Sequence, residues 1–328
     1  MAQSANEDPS FWKLQDIEPT YWDEYIATRP LYDSMVQHIC KYHTDHSNSF
    51  QTAIDIGAGA GSTAGLLVER FRHVVASDND PISQAFIKQR YSHLPPESLS
   101  FTLSSGEDLL KYHQPGSFDL ITCAETFPLM DTQVALNNIH TLLRPGGTLA
   151  VWFYAPPFFT EGDVALTCQP ILDSIMDHNF RPVVSGGNEA RRAAWKRATD
   201  GKFSWLDYIP LPADRWEDVH RHKWNPNARL SFFTPGACDF PIDITTRVGT
   251  HEMTSQEHNS SFWGVRWDMG VLRRFVKASF PKPRGLDAPD DTMEALFEDL
   301  TEAMGGPTAE RALSWPAVLI LATKIDEA

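Results

Sequence analysis

"IDIGAGAGSTAGLL", residues 54–67, is the stretch on which the reading of the whole chain turns. An apolar run closes at Ile56, three glycines alternate with alanines, and a helix-forming segment follows. A strand, a bare turn and a helix start in that order present unpaired backbone N–H groups, and glycine lets a ligand approach the backbone itself. Gly57, Gly59 and Gly61 follow G-x-G-x-G, whereas the dinucleotide fingerprint is G-x-G-x-x-G, and Ser62 stands where its third glycine belongs. Asp55, two places before the first glycine, would repel a diphosphate. A turn serving strand–helix packing alone is the plainer alternative.

An acidic residue there suits a ligand that carries an ammonium group, or it orients the loop; S-adenosylmethionine bears both an ammonium and a sulfonium. The flanking sequence repeats the strand–helix rhythm. "TAIDIG", "HVVASD", "LSFTLSS", "FDLITCAE" and "TLAVWFY" read as strands, and "STAGLLVERF", "PISQAFIKQRY" and "TQVALNNIHTLL" as helices between them. Short apolar runs separated by amphipathic helices mean parallel strands covered on both faces. Ahead of the first strand, Met35 and Ile39 mark a helix over 34–42. "RPGG" (144–147) closes the helix before "TLAVWFY", with Gly146 or Gly147 in the left-handed cap position.

From about residue 158 aromatics and prolines become dense, and 158–291 reads as a cap of helices and loops, with a possible strand near "DITTRVGTHEMT". The proline-rich "FPKPRGLDAPDD" leads to a helix, "TMEALFEDLTEAM", and "SWPAVLILATKI" returns to the main sheet as a strand. The division expected is a loose tail over 1–20, a core with an N-terminal lid helix over 21–157, the cap over 158–291, and a last helix and strand over 292–328.

The composition narrows the partners. Forty-three acidic against 28 basic residues give a net charge of −15 in a 328-residue chain, which argues against a nucleic-acid partner. The one dense basic cluster, "ARRAAWKR" (190–197), reads as a solvated helix face. No run approaches the roughly 20 apolar residues of a membrane span. The N-terminal "MAQSANEDPSFWK" resembles neither a signal nor a transit peptide. Cys40, Cys123, Cys168 and Cys238 are scattered, as in a reduced chain, and no metal-ligand spacing appears. The expectation is a cytoplasmic monomer or homodimer acting on a small molecule, without a metal.

Further candidate ligand contacts lie at successive strand ends. Asp78 ends "HVVASD", 23 residues after Asp55, where a carboxylate can accept both ribose hydroxyls. Asp80, ahead of Pro81, reads as a helix cap. "SSGEDL" brings Ser105, Gly106, Glu107 and Asp108 to the same edge, to read adenine or cap a helix. The order D-x-G-x-G-x-G, Asp78, "SSGEDL", "FDLITCAETF", "LLRPGGTLAVW" resembles the class I S-adenosylmethionine-dependent methyltransferases. "YIATRPLY", with Tyr25, Arg29, Pro30 and Tyr32, is similar to the Y-x-x-x-R-P-x-Y motif of the trans-aconitate methyltransferase family.

That resemblance implies a Rossmann-like, doubly wound, mostly parallel sheet of about seven strands. It implies that Gly57, Gly59 and Gly61 line the methionine and ribose part of the cofactor, and that Asp78, with Asn79 beside it, takes the ribose. Ser105 and Gly106 with Glu107 or Asp108 would flank adenine. Glu125 and Thr126 would border the transferred methyl group and are the catalytic candidates. Arg29 would pair with the cofactor carboxylate, and Tyr25 would cover the site as a lid. Trp152, Tyr154, Phe158 and Phe159, after the fifth strand, would contact an apolar or conjugated acceptor.

One departure stands out: "PLMD" (128–131) occupies the place of a His-Trp-Phe-Asp run, so Pro128 replaces an imidazole. His178, His220, His222, His251 and His258 are the remaining candidate bases, and Arg181, Arg191, Arg192, Arg247 and Arg266 the arginines that would have to converge on a polyacid. The activity implied is methyl transfer to an oxygen, carboxylate or hydroxyl, of a small hydrophobic metabolite. The alternative is an enzyme of secondary metabolism that binds the same cofactor without spending its methyl group and catalyses a pericyclic or dehydration step.

Overall fold

Mostly apolar runs such as Ala53–Ile56 and Phe118–Cys123 are buried along their whole length, the burial expected of strands sandwiched between helices. The computed structural model describes residues 21–47, 49–186, 188–280 and 290–326; the tail expected over 1–20 and most of the proline-rich stretch lie outside them. Two helices, α1 (Tyr21–Ala27) and α2 (Asp33–His46), precede β1 (Thr52–Ile56). There follow α3 (Ser62–Leu67), β2 (His73–Asp78), α4 (Pro81–Arg90), β3 (Leu99–Leu103), β4 (Phe118–Ala124), α5 (Thr132–Leu142) and β5 (Leu143–Tyr154).

Local chemistry sets several of these boundaries. Asp80 accepts from Ile82 N at 3.0 Å and Pro81 opens α4, so that helix begins where a cap and a fixed φ coincide. Asp131 caps α5 in the same way through Val134 N, at 3.0 Å. The RPGG segment departs from its expected role. Gly146 does take a left-handed φ of +70°, but inside β5, where the pairing with β4 slips between Leu143 and Thr148. It forms a bulge at the entrance to the strand, and α5 ends earlier, on the extended Leu143.

The second half of the chain adds β6 (Phe158–Phe159), α6 (Gly162–Val184), α7 (Glu189–Phe203), β7 (Trp216–Trp224), β8 (Met253–Glu257) and β9 (Val265–Trp267). It ends with α8 (Met269–Ala278), α9 (Asp291–Met304), β10 (Arg311–Ser314) and β11 (Ala317–Lys324). The main sheet has the order β3-β2-β1-β4-β5-β11-β7-β8. It therefore has eight strands where about seven were expected. β11 returns antiparallel between β5 and β7, while β8 pairs with β7 in parallel.

Two strands of the segment read as cap thus extend the central sheet. β7, "WEDVHRHKW", carries charged and imidazole side chains at most positions, so no alternating apolar pattern announces it; the ladder to β11 makes it a strand. Only the last two residues of "DITTRVGTHEMT" fall in β8. A small antiparallel sheet, β6-β10-β9, lies apart. Arg221 of β7 is buried: its Nε is bonded to the Glu252 carboxylate and its two amino groups donate to Leu206 O (3.1 Å) and Ile209 O (2.8 Å). One guanidinium thereby ties the segment after α7 to the sheet.

Candidate active site

The parallel strands β1, β2, β3 and β4 present their carboxyl ends at one edge, where ligands of open α/β sheets bind. A cleft of about 390 Å³ opens there. Its floor is the glycine turn. Gly57 N and Ala58 N both donate to Ser77 O, at 2.7 and 2.9 Å, which folds the turn onto the end of β2. Gly57 has φ +70°, and a Cβ on it would lie 2.3 Å from Thr126 Oγ1, so the turn and the segment after β4 meet at a point only glycine allows.

Two carboxylates hold this floor from below. Asp55 accepts from Thr122 Oγ1 at 2.7 Å and from the amide of Ala64 in α3. Burial raises its pKa to about 7. Asp78 accepts from Gly59 N at 2.8 Å, from Asp80 N at 2.9 Å and from the Asn79 amide, and its enclosed position raises its pKa to about 6. Both line the cleft and both orient the loop. A carboxylate has about four acceptor sites, so with three amides on it Asp78 keeps capacity for about one further donor.

Of the residues expected to contact a cofactor, Tyr25, Asp55, Gly57, Gly59, Asp78, Asn79, Ser105, Gly106, Glu107 and Glu125 line the cleft, as does Thr126. Gly61, Arg29 and Asp108 do not. Gly61 backs onto Ile87 and Tyr91, and its φ of +74° serves the start of α3. Asp108 points outward to Lys111 at 2.7 Å. Arg29 lies over the Tyr25 and Phe275 rings and gives Nη2 to Ala278 O at 2.9 Å; its buried Nη1 has no hydrogen-bonding partner among the described residues. Glu107 accepts from Asp131 N at 2.9 Å, bracing the "PLMD" turn. Leu129, Met130 and Asp131 of that turn line the cleft, and Met130 Sδ sits where a Cβ on Gly106 would be, 2.3 Å away.

The four expected acceptor contacts are placed elsewhere. Trp152 and Tyr154 are buried behind the wall: Trp152 packs edge-on against Tyr32 with ring centroids 4.8 Å apart, and Tyr154 Oη lies 2.9 Å from Tyr32 Oη. Phe158 and Phe159 line a second cavity, of about 400 Å³, with α6 residues and the 227–231 segment. No histidine is among the described residues lining the main cleft. His178 bonds Asp290, His251 bonds Leu211 O and His258 bonds Asn227, while His220 and His222 lie in β7. The candidate arginines also part company, Arg192 to Asp239 and Arg266 to Glu161.

Three features were missed in the sequence. Trp22 of α1 lies over the turn, 3.4 Å from where a Gly59 Cβ would be, and its buried Nε1 has no partner among the described residues. Ala194 and Arg197 of the basic cluster form part of the wall, because α7 packs on the Phe127–Leu129 turn. Lys202, also on α7, is buried with its ammonium 5.2 Å from the Trp195 ring, 5.3 Å from Phe153 and 5.9 Å from Phe233. Burial lowers its pKa to about 8, against the opposing pull of Glu125. A signal was available: Trp195, Ala198 and Lys202 share one helix face at spacings of three and four.

Glu125 is the most constrained residue of the wall. It has φ +60°, a conformation costing a non-glycine residue about 1–3 kcal/mol. Its Oε1 accepts from Tyr154 N at 2.5 Å. Burial drives its pKa well above the carboxylate range, while the Tyr154 amide, Lys202 and Arg29 favour the charge.

Comparison with known proteins agrees with this geometry. Residues 54–151 match the family described as a methyltransferase domain. The chain is similar to methyltransferase pgmE of Aspergillus terreus, 39% identical over 336 residues and covering 99% of this chain and all of that one. It is also similar to methyltransferase ptaI of Pestalotiopsis fici, 34% identical over 318 residues, or 93% of each chain. A solved structure described as a type II methyltransferase from Anaeromyxobacter dehalogenans shares the fold, with a TM-score of 0.50 at 15% identity over 89% of this chain and 97% of that one.

Proposed function

The chain belongs to the methyltransferase family of these fungal enzymes, and from that premise we propose that it transfers a methyl group from S-adenosylmethionine to an oxygen, carboxylate or hydroxyl, of a small hydrophobic molecule. The observation that carries this reading is the cleft itself: a glycine turn buttressed by Asp55 and Asp78, with Glu125 and Thr126 on its opposite wall. The residues present fit the cofactor. The turn bares backbone at Gly57 and Gly59, and Asp78 offers its remaining acceptor capacity to a ribose hydroxyl. Ser105, Gly106 and Met130 line the cleft at the strand end where adenine is expected. Trp22, which lines the cleft, has a buried Nε1 donor with no partner among the described residues, to which a carboxylate could be an acceptor. Asn79 adds a polar group beside Asp78, and Tyr25 closes the site with Trp22.

When bound, S-adenosylmethionine supplies a methyl group on a good leaving group, open to in-line displacement. The chain's own contribution is then alignment and exclusion of water. Positioning of this kind removes about 7–11 kcal/mol from a bimolecular barrier. α1 and α7 roof the cleft with Trp22, Tyr25 and Ala194, and the pair Tyr32–Tyr154 stiffens the wall beneath Glu125. The finer likeness to the trans-aconitate enzymes rests on Tyr25, Arg29, Pro30 and Tyr32. It extends to the lid and not to the "PLMD" turn.

The test is methyl-labelled cofactor with aromatic hydroxy and carboxylic acids as acceptors, alongside calorimetric titration with S-adenosylhomocysteine. Label is expected in the acceptor, and Asp78→Ala is expected to weaken binding of the demethylated cofactor about 10–100-fold, the loss of charge-assisted hydrogen bonds. Isomerised product with all label left on the cofactor would favour the non-transferring alternative. Absence of binding to the wild-type chain would end both readings.

A further inference from the structure

Glu125 carries more constraint than a wall residue needs. It holds a left-handed φ, its Oε1 is spent on the Tyr154 amide, its Oε2 has no hydrogen-bonding partner among the described residues, and the residue is part of the cleft lining. The titratable groups that face it come from three elements: Lys202 from α7, Arg29 and Tyr32 from the N-terminal segment, and Tyr154 from β5. Neither cation lines the cleft. Lys202 is enclosed by Phe153, Trp195 and Phe233, and Arg29 by Tyr25 and Phe275. Of these three charged residues, Glu125 alone belongs to the cleft lining, to which Arg197 is the cation contributed.

We propose that Glu125 is the general base of the reaction and that it selects a hydroxyl, phenol-type acceptor over a carboxylate. This rests on the methyl-transfer reading above and chooses between the two acceptor classes it leaves open. As the acceptor oxygen bonds to the methyl carbon, the carbon–sulfur bond breaks with its electron pair leaving on sulfur, and the hydroxyl proton passes to Glu125 Oε2. The neutral acid then returns the proton to water. An ionised carboxylate has no proton to give, so it would gain nothing from Oε2 and would face like charge across a desolvated wall. Burial also makes the carboxylate a stronger proton acceptor than an exposed one. Lys202 is a positioning residue here: its ammonium keeps Glu125 ionised from behind. The missing imidazole of the "PLMD" turn is then no loss, because the base stands three residues upstream of Pro128.

The experiment uses a matched pair of probes, 1-naphthol and 1-naphthoate, titrated into full-length protein saturated with S-adenosylhomocysteine at pH 7. The wild-type protein is expected to favour naphthol by about tenfold or more, and Glu125→Gln to remove that preference by admitting naphthoate. In turnover with labelled cofactor, Glu125→Gln is expected to lower kcat for hydroxyl acceptors by about 10²–10⁴-fold with little change in KM. Lys202→Met, which should fold because its cage is aromatic, is expected to move the acid limb of the kcat profile to higher pH, which a purely structural lysine would not do. Naphthoate preferred by the wild type, or a preference and a pH limb unmoved by either substitution, overturns the proposal. Saturation with S-adenosylhomocysteine is measured first, so loss of the cofactor reading is seen separately.

Discussion

Gly57→Ala puts the floor of the cleft to a quantitative test, because a second glycine supplies the control. Gly57 and Gly146 both have φ +70°, so an alanine at either pays the same left-handed penalty, about 1–2 kcal/mol. They differ in surroundings. Nothing lies within 4 Å of a Cβ at Gly146, whereas at Gly57 the new methyl would stand 2.3 Å from Thr126 Oγ1, 2.6 Å from its Cβ and 2.7 Å from its Cγ2. Those atoms belong to a β-branched side chain next to a strained glutamate, so the clash cannot be relieved by swinging a flexible end. Overpacking of this sort costs about 1–3 kcal/mol more. Urea unfolding should therefore show Gly146→Ala destabilised by about 1–2 kcal/mol and Gly57→Ala by about 2–5 kcal/mol. Thr126→Gly in the Gly57→Ala background should recover the steric part alone. Titration with S-adenosylhomocysteine completes the test, since the turn and Thr126 form facing walls of the cleft: Gly57→Ala should bind it at least tenfold more weakly, and Gly146→Ala normally. Equal destabilisation by the two alanines, or complete rescue by the glycine at 126, would refute this account of the contact.

Other consequences follow from buried charge. Glu252→Ala leaves the Arg221 guanidinium buried without its carboxylate and should destabilise the fold by about 3–5 kcal/mol, read from the denaturant midpoint. Asp55 has its pKa raised to about 7 by burial, so the native state binds its proton more tightly than the unfolded chain does. Its contribution to stability is full below about pH 4 and is lost as the pH rises through about 7, and Asp55→Asn should flatten that slope in ligand-free protein melted across this range. Tyr32→Phe strands the buried Tyr154 hydroxyl that it met at 2.9 Å and should cost about 1–3 kcal/mol, which paired chemical melts of wild type and variant would detect.

What could be read in the sequence was what neighbouring residues decide among themselves. "HVVASD" is a strand at its expected limits, and Asp80–Pro81 caps the helix after it, because a cap, a proline and an apolar run all act within a few residues. The ligand edge was legible for the same reason: in a parallel sheet the residues after each strand land on one side, so Gly57, Asp78, Gly106 and Glu125 converge without any long-range knowledge. The failures share the opposite cause. β7 is a strand because β11, about 100 residues later, pairs with it, and nothing in "WEDVHRHKW" encodes that partner. The aromatic run after β5 looked like an acceptor surface because it follows a strand end, but β10 and β11 cover it and turn Trp152, Tyr154 and Phe159 inward. The basic cluster is the instructive case. Its net charge argued for a solvated face, and Arg192 and Lys196 are on one; yet Trp195 and Ala198 put Lys202 on the other. Had the face been weighed by its apolar spacing and not by its charge count, a lysine on the buried stripe would have stood out as a cation in need of an anion. Glu125, the acid whose charge acts on it, is a catalytic candidate by its place after β4. A charge placed where burial is costly persists when something compensates it, and here the compensating partner is the residue to which the cleft gives the most constrained backbone.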